Sequence, residues 1–337
     1  MKVFIVGGTG LLGSAGAREL IARGHEVVAM ALRPAPDGAD LPPQMQVEVA
    51  DFMELDDDAL RDRLRGCEGL VFAAGVDERI EAPPPIYDLF ARHNITALSR
   101  LLRLARESGV KHAVVCGSYF THFERIWPEK QLTRWHPYIR SRVDQEAMAL
   151  SFASDDFDVA VLELPYIFGA QRGRRPVWVF FVEQVRALRW ATACPRGGSA
   201  MVTVRQVGEA MAGALERNRG GTAYPIGWFN LTFAELFSII HKHLGIPGKR
   251  IVTLPKPLSS LVLRRTSAQQ RKRGHEGGLD LLRFADVLCA EAFIDRSLGS
   301  DQLGVGEDDL DAAIAESVRL SNEILDGTAT AVGMMVG

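Results

Sequence analysis

Cysteine is scarce in this sequence and never closely spaced. The 337 residues contain four, at Cys67, Cys116, Cys194 and Cys289, with no Cys-x-x-Cys pair among them. Disulfide scaffolds and thiolate zinc sites use more numerous and more closely spaced cysteines. We therefore expect buried free thiols in a reducing compartment, and no structural metal.

Long apolar runs and an excess of one charge are also missing. No stretch approaches the roughly 18 uninterrupted apolar residues that span a bilayer. Gly7 and Gly8 interrupt the apolar N-terminus before it resembles a signal peptide. The formal net charge is −3, which favours neither nucleic acid nor an anionic membrane as a partner. We expect a cytoplasmic protein that binds a small molecule.

The first half of the chain alternates short apolar runs with amphipathic segments. Six runs predict buried strands: "KVFIVG", "HEVVAMAL", "QVEVADF", "GLVFAAG", "KHAVVCGS" and "FDVAVLELP". Helical patterns separate most of them, as in "SAGARELIARG" and "YDLFARHNITALSRLLRLARESG". Such strands and helices form βαβ units, so we predict an α/β fold with a parallel sheet covered on both faces.

The pattern changes after about residue 165. Thr232 and Glu235 have the spacing of a capping box and predict a helix start. Residues 264–278, "RRTSAQQRKRGHEGG", are polar and basic, and we interpret them as an exposed loop. The segment after about residue 327 has little to anchor it, and we expect it to fray.

A glycine-rich turn, "GGTGLLG", follows the first predicted strand and precedes the first helix. Glycine lets the backbone turn tightly and approach a pyrophosphate, which the helix N-terminus attracts. The spacing is GxxGxxG, whereas the usual dinucleotide fingerprint is GxGxxG. We predict that this turn binds a dinucleotide, through Gly7, Thr9, Gly10, Leu11, Leu12 and Gly13.

The end of the second strand bears on the choice of cofactor. An acidic residue there would bind the ribose 2′-OH of NAD, and an arginine would favour the 2′-phosphate of NADP. "AMALRP" has no carboxylate and contains Arg33. We favour NADP, with NAD possible, and Arg33 could instead point into solvent.

These features together resemble the extended short-chain dehydrogenase/reductase family, which includes NAD(P)-dependent epimerases, dehydratases and carbonyl reductases. The similarity runs from Lys2 to about Leu325 and keeps the family's order of motifs. "VADF" resembles the segment at the adenine, "FAAG" the segment beneath the cofactor, and "LPYIFG" the loop at the nicotinamide. The resemblance therefore adds to the cofactor site Asp51, Phe52, Ala73, Ala74, Gly75, Pro165, Tyr166 and Ile167.

The resemblance also implies an architecture. It implies a Rossmann-type doubly wound parallel sheet with a smaller α/β C-terminal substrate domain. Residues 1–165 would form the dinucleotide-binding core, with a returning segment around 200–230. Residues 166–330 would form mostly the substrate-binding lid, followed by a tail at 331–337. Members are often dimers, so a homodimer is possible.

The segment "HPYIRSR" matches the family's catalytic Tyr-x-x-x-Lys, except that Arg142 stands in the lysine's place. The resemblance makes Tyr138 the acid/base, Ser118 the donor to the substrate oxygen and Asn94 a supporting residue. Spacing i, i+4 puts Arg142 on the helix face of Tyr138, where a cation lowers the pKa of a phenol. A guanidinium is larger than an ammonium and keeps its proton. Alternatively, Arg142 is a surface residue and Tyr138 merely packs.

Further residues bear on the substrate. "CGSYFTH" offers Thr121 as an alternative to Ser118, and either hydroxyl could simply cap a turn. Arg172, Arg174 and Arg175 in "AQRGRRP" could hold a carboxylate or phosphate, although a solvated basic loop explains them equally well. The aromatic segment "VWVFFVEQVRALRW" suits an apolar substrate, although we favour the interpretation that it packs in the core.

We therefore predict an NADP(H)-dependent oxidoreductase that reduces a carbonyl or oxidises a secondary alcohol of a small organic molecule. One alternative is a nucleotide-sugar epimerase that uses the same residues, which the arginines at 172–175 favour. The other is a catalytically silent dinucleotide-binding regulator, which Arg142 favours.

Overall fold

The computed structural model describes residues 1–332, apart from the side chains at positions 265, 266, 269 and 271. Its strands are β1 (Lys2–Val6), β2 (Glu26–Ala31), β3 (Gln46–Val49), β4 (Gly69–Phe72), β5 (Glu81–Ala82), β6 (His112–Cys116), β7 (Asp158–Glu163), β8 (Tyr166–Phe168), β9 (Ala191–Pro195), β10 (Gly198–Thr203), β11 (Gly221–Pro225), β12 (Phe229–Thr232), β13 (Arg250–Leu254), β14 (Glu276–Gly277) and β15 (Glu291–Ala292).

Helices connect most of these strands. The α-helices are α1 (Leu11–Ala22), α2 (Asp57–Leu64), α3 (Ile86–Phe90), α4 (Ala97–Glu107), α5 (Phe120–Ile126), α6 (Leu132–Trp135), α7 (Pro137–Leu150), α8 (Val179–Ala187), α9 (Val204–Arg217), α10 (Phe233–His243), α11 (Lys256–Lys272), α12 (Leu281–Leu288), α13 (Ser300–Leu303) and α14 (Leu310–Leu325). A π-helical segment, Ala91–Thr96, joins α3 to α4.

The central sheet of the described chain has seven strands in the order β11-β7-β6-β4-β1-β2-β3. Every pairing in it is parallel. The six strands predicted in the first half of the sequence are β1, β2, β3, β4, β6 and β7, and the predicted Rossmann-type sheet is confirmed. The strand order reverses between β1 and β4, and ligands of such sheets bind where this reversal leaves a crevice at the carboxyl ends of the strands.

Successive side chains of the strands enter two different cores. Val3 and Ile5 of β1 face a core that also contains buried residues of α1 and α9. Phe4 and Val6 face the opposite core, with buried residues of α2 and α4. Both faces of the sheet are therefore covered, which explains why its strands read as nearly continuous apolar runs.

A smaller unit follows the central sheet along the chain. It contains a sheet in the order β12-β10-β15, to which β8 adds through β10, and the separate pair β13-β9. Helices α8, α10 and α14 pack over it around a core that includes Phe181, Phe237 and Ile314. The predicted capping box is present, since Thr232 Oγ1 accepts the Glu235 N–H and the Glu235 carboxylate accepts the Thr232 N–H.

Two local predictions need correction. Residues 264–278 are not a loop throughout, because α11 continues to Lys272. No proline or glycine stops a helix before Gly274, which has φ +70° and ends it. The predicted fraying after residue 327 also fails near Val332, whose N–H donates to the Gly173 carbonyl at 2.8 Å. The remainder of the predicted tail, residues 333–337, lies outside the described residues.

Candidate active site

The glycine-rich turn lies at the carboxyl end of β1, next to the point where the strand order reverses. Gly7 has φ +88°, and a Cβ there would lie 2.7 Å from the Ala73 carbonyl oxygen. A Cβ at Gly13 would lie 2.3 Å from the Gly7 carbonyl oxygen. Both positions therefore require glycine, for backbone conformation at Gly7 and for close approach at both.

The same turn presents the N-terminus of α1. Gly10 is the N-cap and contributes no side-chain hydrogen bond, and the first turn of the helix contains no acidic residue. The N–H groups of Leu11 and Leu12 have no partner within the helix because of its geometry. This end of the helix thus offers backbone donors and a positive dipole to an anion.

The other predicted cofactor residues lie along the same edge of the sheet. Ala73 and Gly75 follow β4, and the Ala73 N–H donates to the Val6 carbonyl at 2.9 Å. Asp51 follows β3, and its carboxylate accepts the Met53 N–H at 2.9 Å. Arg33 follows β2 and is exposed, with no carboxylate at the end of that strand. The structure therefore places the residues predicted from four separate segments at the ends of neighbouring strands.

Tyr138 lies in the first turn of α7, where Pro137 occupies the first helical position. The side chain is buried, with 5% of the residue exposed. Its ring centroid lies 5.6 Å from that of Phe90 and 6.4 Å from that of Phe120, both in edge-on arrangements. His136, the N-cap of α7, accepts the Asp280 N–H at 3.0 Å, and burial lowers its pKa to about 4. His136 is thus buried and uncharged near neutral pH.

Arg142 lies one turn after Tyr138 and is also buried. Its Cζ lies 5.1 Å from the centroid of the Tyr138 ring. Nη1 donates to Gln145 Oε1 at 2.8 Å, and Nε has no hydrogen-bond partner among the described residues. Arg140, by contrast, is exposed and lies over the ring of Tyr87. The interpretation of Arg142 as a surface residue is therefore wrong.

Asn94 is held within the π-helical segment and is fully buried. Its Oδ1 accepts the Val76 N–H at 2.8 Å, and its Nδ2 donates to the Val76 carbonyl at 3.0 Å. Its own carbonyl accepts Gln145 Nε2 at 2.7 Å. Gln145 thus connects Asn94 to Arg142, a role that its i, i+3 spacing from Arg142 could have suggested.

Ser118 and Thr121, the two candidate hydroxyls, have different surroundings. Ser118 Oγ accepts the Phe120 N–H at 3.4 Å, and its own hydrogen finds no acceptor in the described part of the chain. Thr121 Oγ1 contacts the Ser118 carbonyl and the Glu146 carboxylate, both at 2.8 Å, as well as the Glu163 carboxylate. The Thr121 hydroxyl is therefore already engaged, whereas the Ser118 hydroxyl can still donate.

Glu78 is a candidate site residue that the sequence reasoning missed. It follows β4 by a few residues, and a Cβ at Gly278 would lie 2.9 Å from its carbonyl oxygen. The carbonyl of Gly278 in turn accepts the Tyr138 N–H at 2.9 Å. Burial is the main cause of the raised pKa values of Tyr138, Tyr119 and Tyr166, and the Glu78 charge raises each of them further. Its position in a loop, without a known motif, gave no signal in the sequence.

Burial and charge together set the ionisation of this group. Burial raises the pKa of Tyr138 above its ordinary value, the Arg142 charge lowers it in part, and Glu78 raises it again. Burial, helped by the neighbouring Asp77 charge, raises the pKa of Glu78 to about 7. Tyr138 is therefore a protonated phenol near neutral pH, and Glu78 changes charge in the same range.

The "LPYIFG" segment, residues 164–169, directly follows β7 and contains β8. Pro165 is buried, and Tyr166 begins β8. The Trp178 indole N–H donates to the Ile167 carbonyl at 2.6 Å, and its ring lies 4.4 Å from that of Tyr166. Phe168 and Phe181 also stack on Trp178. Trp178 and Phe181 of the aromatic segment thus pack in the core as expected, whereas Phe180 and Trp190 of the same segment are exposed.

The three arginines of "AQRGRRP" do not converge. Arg172 is exposed, and Arg175 pairs with Glu183 at 3.1 Å. Arg174 lies on the glycine-rich turn, where its guanidinium contacts Thr9.

No cluster of three or more potential metal ligands is present among the described residues. The helices in residues 1–332 also include none that is long and apolar enough to cross a membrane.

The residues present fit a dinucleotide. Two glycines admit backbone but no side chain at the turn, α1 presents an uncapped N-terminus, and Gly75 is exposed near the Arg142 guanidinium. A Cβ at Gly75 would lie 3.9 Å from Arg142 Nη1, so the missing side chain leaves room in front of this guanidinium.

Comparisons with known proteins agree with the fold described above. The sequence model of the NAD dependent epimerase/dehydratase family matches residues 3–227. The structure of gox2253 is similar with a TM-score of 0.73 at 20% identity, covering 97% of this chain and 99% of that one. PA4631, a nucleoside-diphosphate-sugar epimerase from Pseudomonas aeruginosa, has a TM-score of 0.69 at 19% identity, covering 98% and 99%.

A third similar structure is MoeE5 in complex with UDP-glucuronic acid and NAD. Its TM-score is 0.65 at 19% identity, covering 96% of this chain and 100% of that one. No protein of curated function matches the sequence. At these identities the structural likeness supports the fold.

Proposed function

We propose a function on the premise that this chain belongs to the NAD-dependent epimerase/dehydratase family, to which the match over residues 3–227 assigns it. The protein is an NADP(H)-dependent oxidoreductase that reduces a carbonyl of a small organic substrate, or oxidises the corresponding secondary alcohol, through Tyr138. The observation that carries the proposal is the buried Tyr138–Arg142 pair, with Arg142 Cζ 5.1 Å from the phenol ring centroid.

The state of Tyr138 favours reduction. Burial is the largest influence on its pKa and keeps the phenol protonated near neutral pH. A protonated phenol can donate its proton to a carbonyl oxygen that becomes an alkoxide. The bound dinucleotide would supply the hydride to the carbonyl carbon.

Ser118 and Arg142 assist in different ways. The Ser118 hydroxyl hydrogen has no acceptor among the described residues, so it can bind the substrate oxygen. Arg142 stabilises the phenolate that Tyr138 becomes, because its charge lowers the pKa of that phenol. Its buried Nε has no hydrogen-bond partner among the described residues, and the cofactor ribose would supply an acceptor for it. Asn94 acts indirectly, through Gln145, by fixing the Arg142 guanidinium.

The choice of NADP rests on Arg33. Arg33 is exposed at the end of β2, where no carboxylate is present to bind a ribose 2′-OH. A guanidinium there matches the 2′-phosphate of NADP. NAD is the alternative, and MoeE5 is a similar structure that contains NAD. We further propose a cytoplasmic location and retain the homodimer as an option.

A nucleotide-sugar epimerase is the second candidate. The family supports it, and Glu78 adds a second proton-exchanging group beside Tyr138. The three arginines support it less than the sequence suggested, because only Arg172 is exposed without a carboxylate partner among the described residues.

The test combines binding with turnover. The protein is titrated with NADPH and NADH and then offered panels of carbonyl compounds and of nucleotide sugars. We expect Tyr138→Phe to lower kcat by about 10²- to 10⁴-fold while dinucleotide binding persists. Tyr224→Phe is the matched control. It removes the hydroxyl of another buried tyrosine, which donates a hydrogen bond to Asn218 and belongs to a different part of the chain from Tyr138. Binding without turnover on either panel, with activity gained in Arg142→Lys, would establish the silent regulator instead.

A further inference from the structure

Arg174 occupies the glycine-rich turn, although the sequence placed it with the substrate. Its Nε lies 3.2 Å from the Thr9 carbonyl oxygen, and its Nη2 lies 3.0 Å from the same oxygen and 3.2 Å from Thr9 Oγ1. The side chain is half-buried. The turn that presents the N-terminus of α1 is therefore also covered by a guanidinium from the second half of the chain.

No carboxylate among the described residues pairs with Arg174. Its hydrogen bonds in the described structure go only to Thr9, and burial, without any compensating acid, lowers its pKa. Its exposed neighbour Arg175 pairs with Glu183, and the half-buried Arg23, Arg63 and Arg100 also pair with acids. An unpaired, partly desolvated cation is unfavourable until an anion joins it.

The donors around Thr9 also exceed the acceptors. Besides the two nitrogens of Arg174, the Gln171 Nε2 lies 3.2 Å from the Thr9 carbonyl oxygen. Three N–H donors therefore converge on one carbonyl, which has two lone pairs. Further oxygen acceptors at this point would satisfy the surplus donors.

The segment that carries Arg174 is fixed on both sides. A Cβ at Gly173 would lie 2.6 Å from Pro36 Cβ, in the loop after β2. The Val332 N–H donates to the Gly173 carbonyl at 2.8 Å, and the Arg175 N–H donates to the Val332 carbonyl at 3.1 Å. The guanidinium is thus held over the turn by contacts that do not involve its own charge.

We propose that Arg174 binds the pyrophosphate of the dinucleotide, together with the N-terminus of α1, and is not a substrate residue. This inference rests on the proposed function for the presence of a dinucleotide, but not for the reaction or the substrate. A guanidinium can donate two parallel hydrogen bonds to phosphate oxygens. In this structure, two nitrogens of Arg174 instead donate to the single carbonyl of Thr9. The Thr9 carbonyl then keeps the Gln171 amide as its donor.

The experiment compares ligands with and without a pyrophosphate, by calorimetric titration. NADPH and ADP-ribose contain it, and adenosine 2′-monophosphate lacks it. We expect Arg174→Gln to weaken NADPH and ADP-ribose binding by about 10- to 100-fold and to leave adenosine 2′-monophosphate binding unchanged. Arg174→Lys should lose less, because it keeps the charge and loses only the bidentate geometry. Arg175→Gln, which removes an exposed paired arginine, should change none of the three affinities.

The outcomes separate this inference from the proposed reaction. Unchanged NADPH affinity in Arg174→Gln would overturn the inference, as would an equal loss for adenosine 2′-monophosphate, since that would indicate a role in holding the loop. A wild-type protein that binds no pyrophosphate ligand would overturn it as well. Selective loss of pyrophosphate ligands in a protein without turnover would support Arg174 while the proposed reaction fails.

Discussion

The guanidinium of Arg142 lies over the ring of Tyr138, with Cζ 5.1 Å from the ring centroid, and both side chains are buried. Because a guanidinium keeps its proton, this cation can stabilise a phenolate but cannot relay a proton. It is also oriented by Gln145, which the Asn94 carbonyl holds in turn. Under the proposed function, the arginine would replace the electrostatic part of the family lysine's role, and Gln145 and Asn94 position it.

Removal of the Arg142 charge should impair catalysis and shift its pH dependence. Reduction needs a protonated phenol, so activity is lost as the pH rises through the pKa of Tyr138. Arg142→Met removes the group that lowers this pKa, and its alkaline limb should move to higher pH, while kcat/KM falls by about 10- to 100-fold. Arg142→Lys should retain activity. Arg140→Met, at an exposed position, is the control, and an unchanged pH profile in Arg142→Met would contradict the assigned role.

Replacement of Glu78 should shift the alkaline limb of the pH profile in the opposite direction, to lower pH. The Glu78 charge raises the pKa of Tyr138, and the pKa of Glu78 itself is raised to about 7. Glu78→Gln should therefore lower the pKa of the phenol and move the alkaline limb of kcat/KM to lower pH. Asp88→Asn, an exposed position in the following helix, should leave the profile in place. A shift to higher pH in Glu78→Gln would show that the carboxyl does not act on Tyr138.

Replacement of Arg33 should change the cofactor preference. Arg33 is exposed at the end of β2, and a charged hydrogen bond to the 2′-phosphate would account for about a tenfold preference or more. Arg33→Ser should weaken NADPH binding by about tenfold and leave NADH unchanged. Fluorescence titration of both cofactors measures this, with Arg18→Ser, another exposed arginine, as the control. Equal losses for NADPH and NADH would rule out recognition of the 2′-phosphate by Arg33.

Glu163 should make the folded protein less stable as the pH rises toward neutrality. The side chain is fully buried, and burial, with the charge of Glu146, raises its pKa to about 7. Between the ordinary glutamate pKa of the unfolded chain and the raised pKa of the folded protein, the folded state binds more protons than the unfolded state. The free energy of unfolding therefore falls from about pH 4.5 to about pH 7 and then stays level.

The measurement is the melting temperature across this range. We expect the Tm of the wild type to fall between about pH 5 and about pH 7.5. Glutamine at position 163 cannot take up a proton, so the Tm of Glu163→Gln should fall less over the same range, by a few degrees. Glu235→Gln is the matched control, because the pKa of Glu235 is lowered at its helix cap and contributes no slope in this window. A wild-type slope that survives in Glu163→Gln would assign the effect to other groups.

Much of the fold followed from the sequence because its determinants are local. The apolar runs of β1 to β4, β6 and β7, the positive-φ glycine of the turn and the Thr232–Glu235 capping box each act within a few residues. The family's motif order likewise located Tyr138, Arg142, Ser118 and Asn94 in the chain. The helical state of residues 264–272 was missed, because a polar run without apolar periodicity resembles a loop.

The sequence by itself determined the parallel sheet, the glycine-rich turn and the Tyr138–Arg142 spacing, since these depend on backbone geometry and short-range patterns. Only the tertiary structure decided that Thr121 is engaged by two buried carboxylates, that Glu78 acts on Tyr138, and that Arg174 lies on Thr9. Arg174 and Thr9 are 165 residues apart in the chain. Such contacts depend on how distant loops pack at the ends of the strands, and no local pattern encodes that packing.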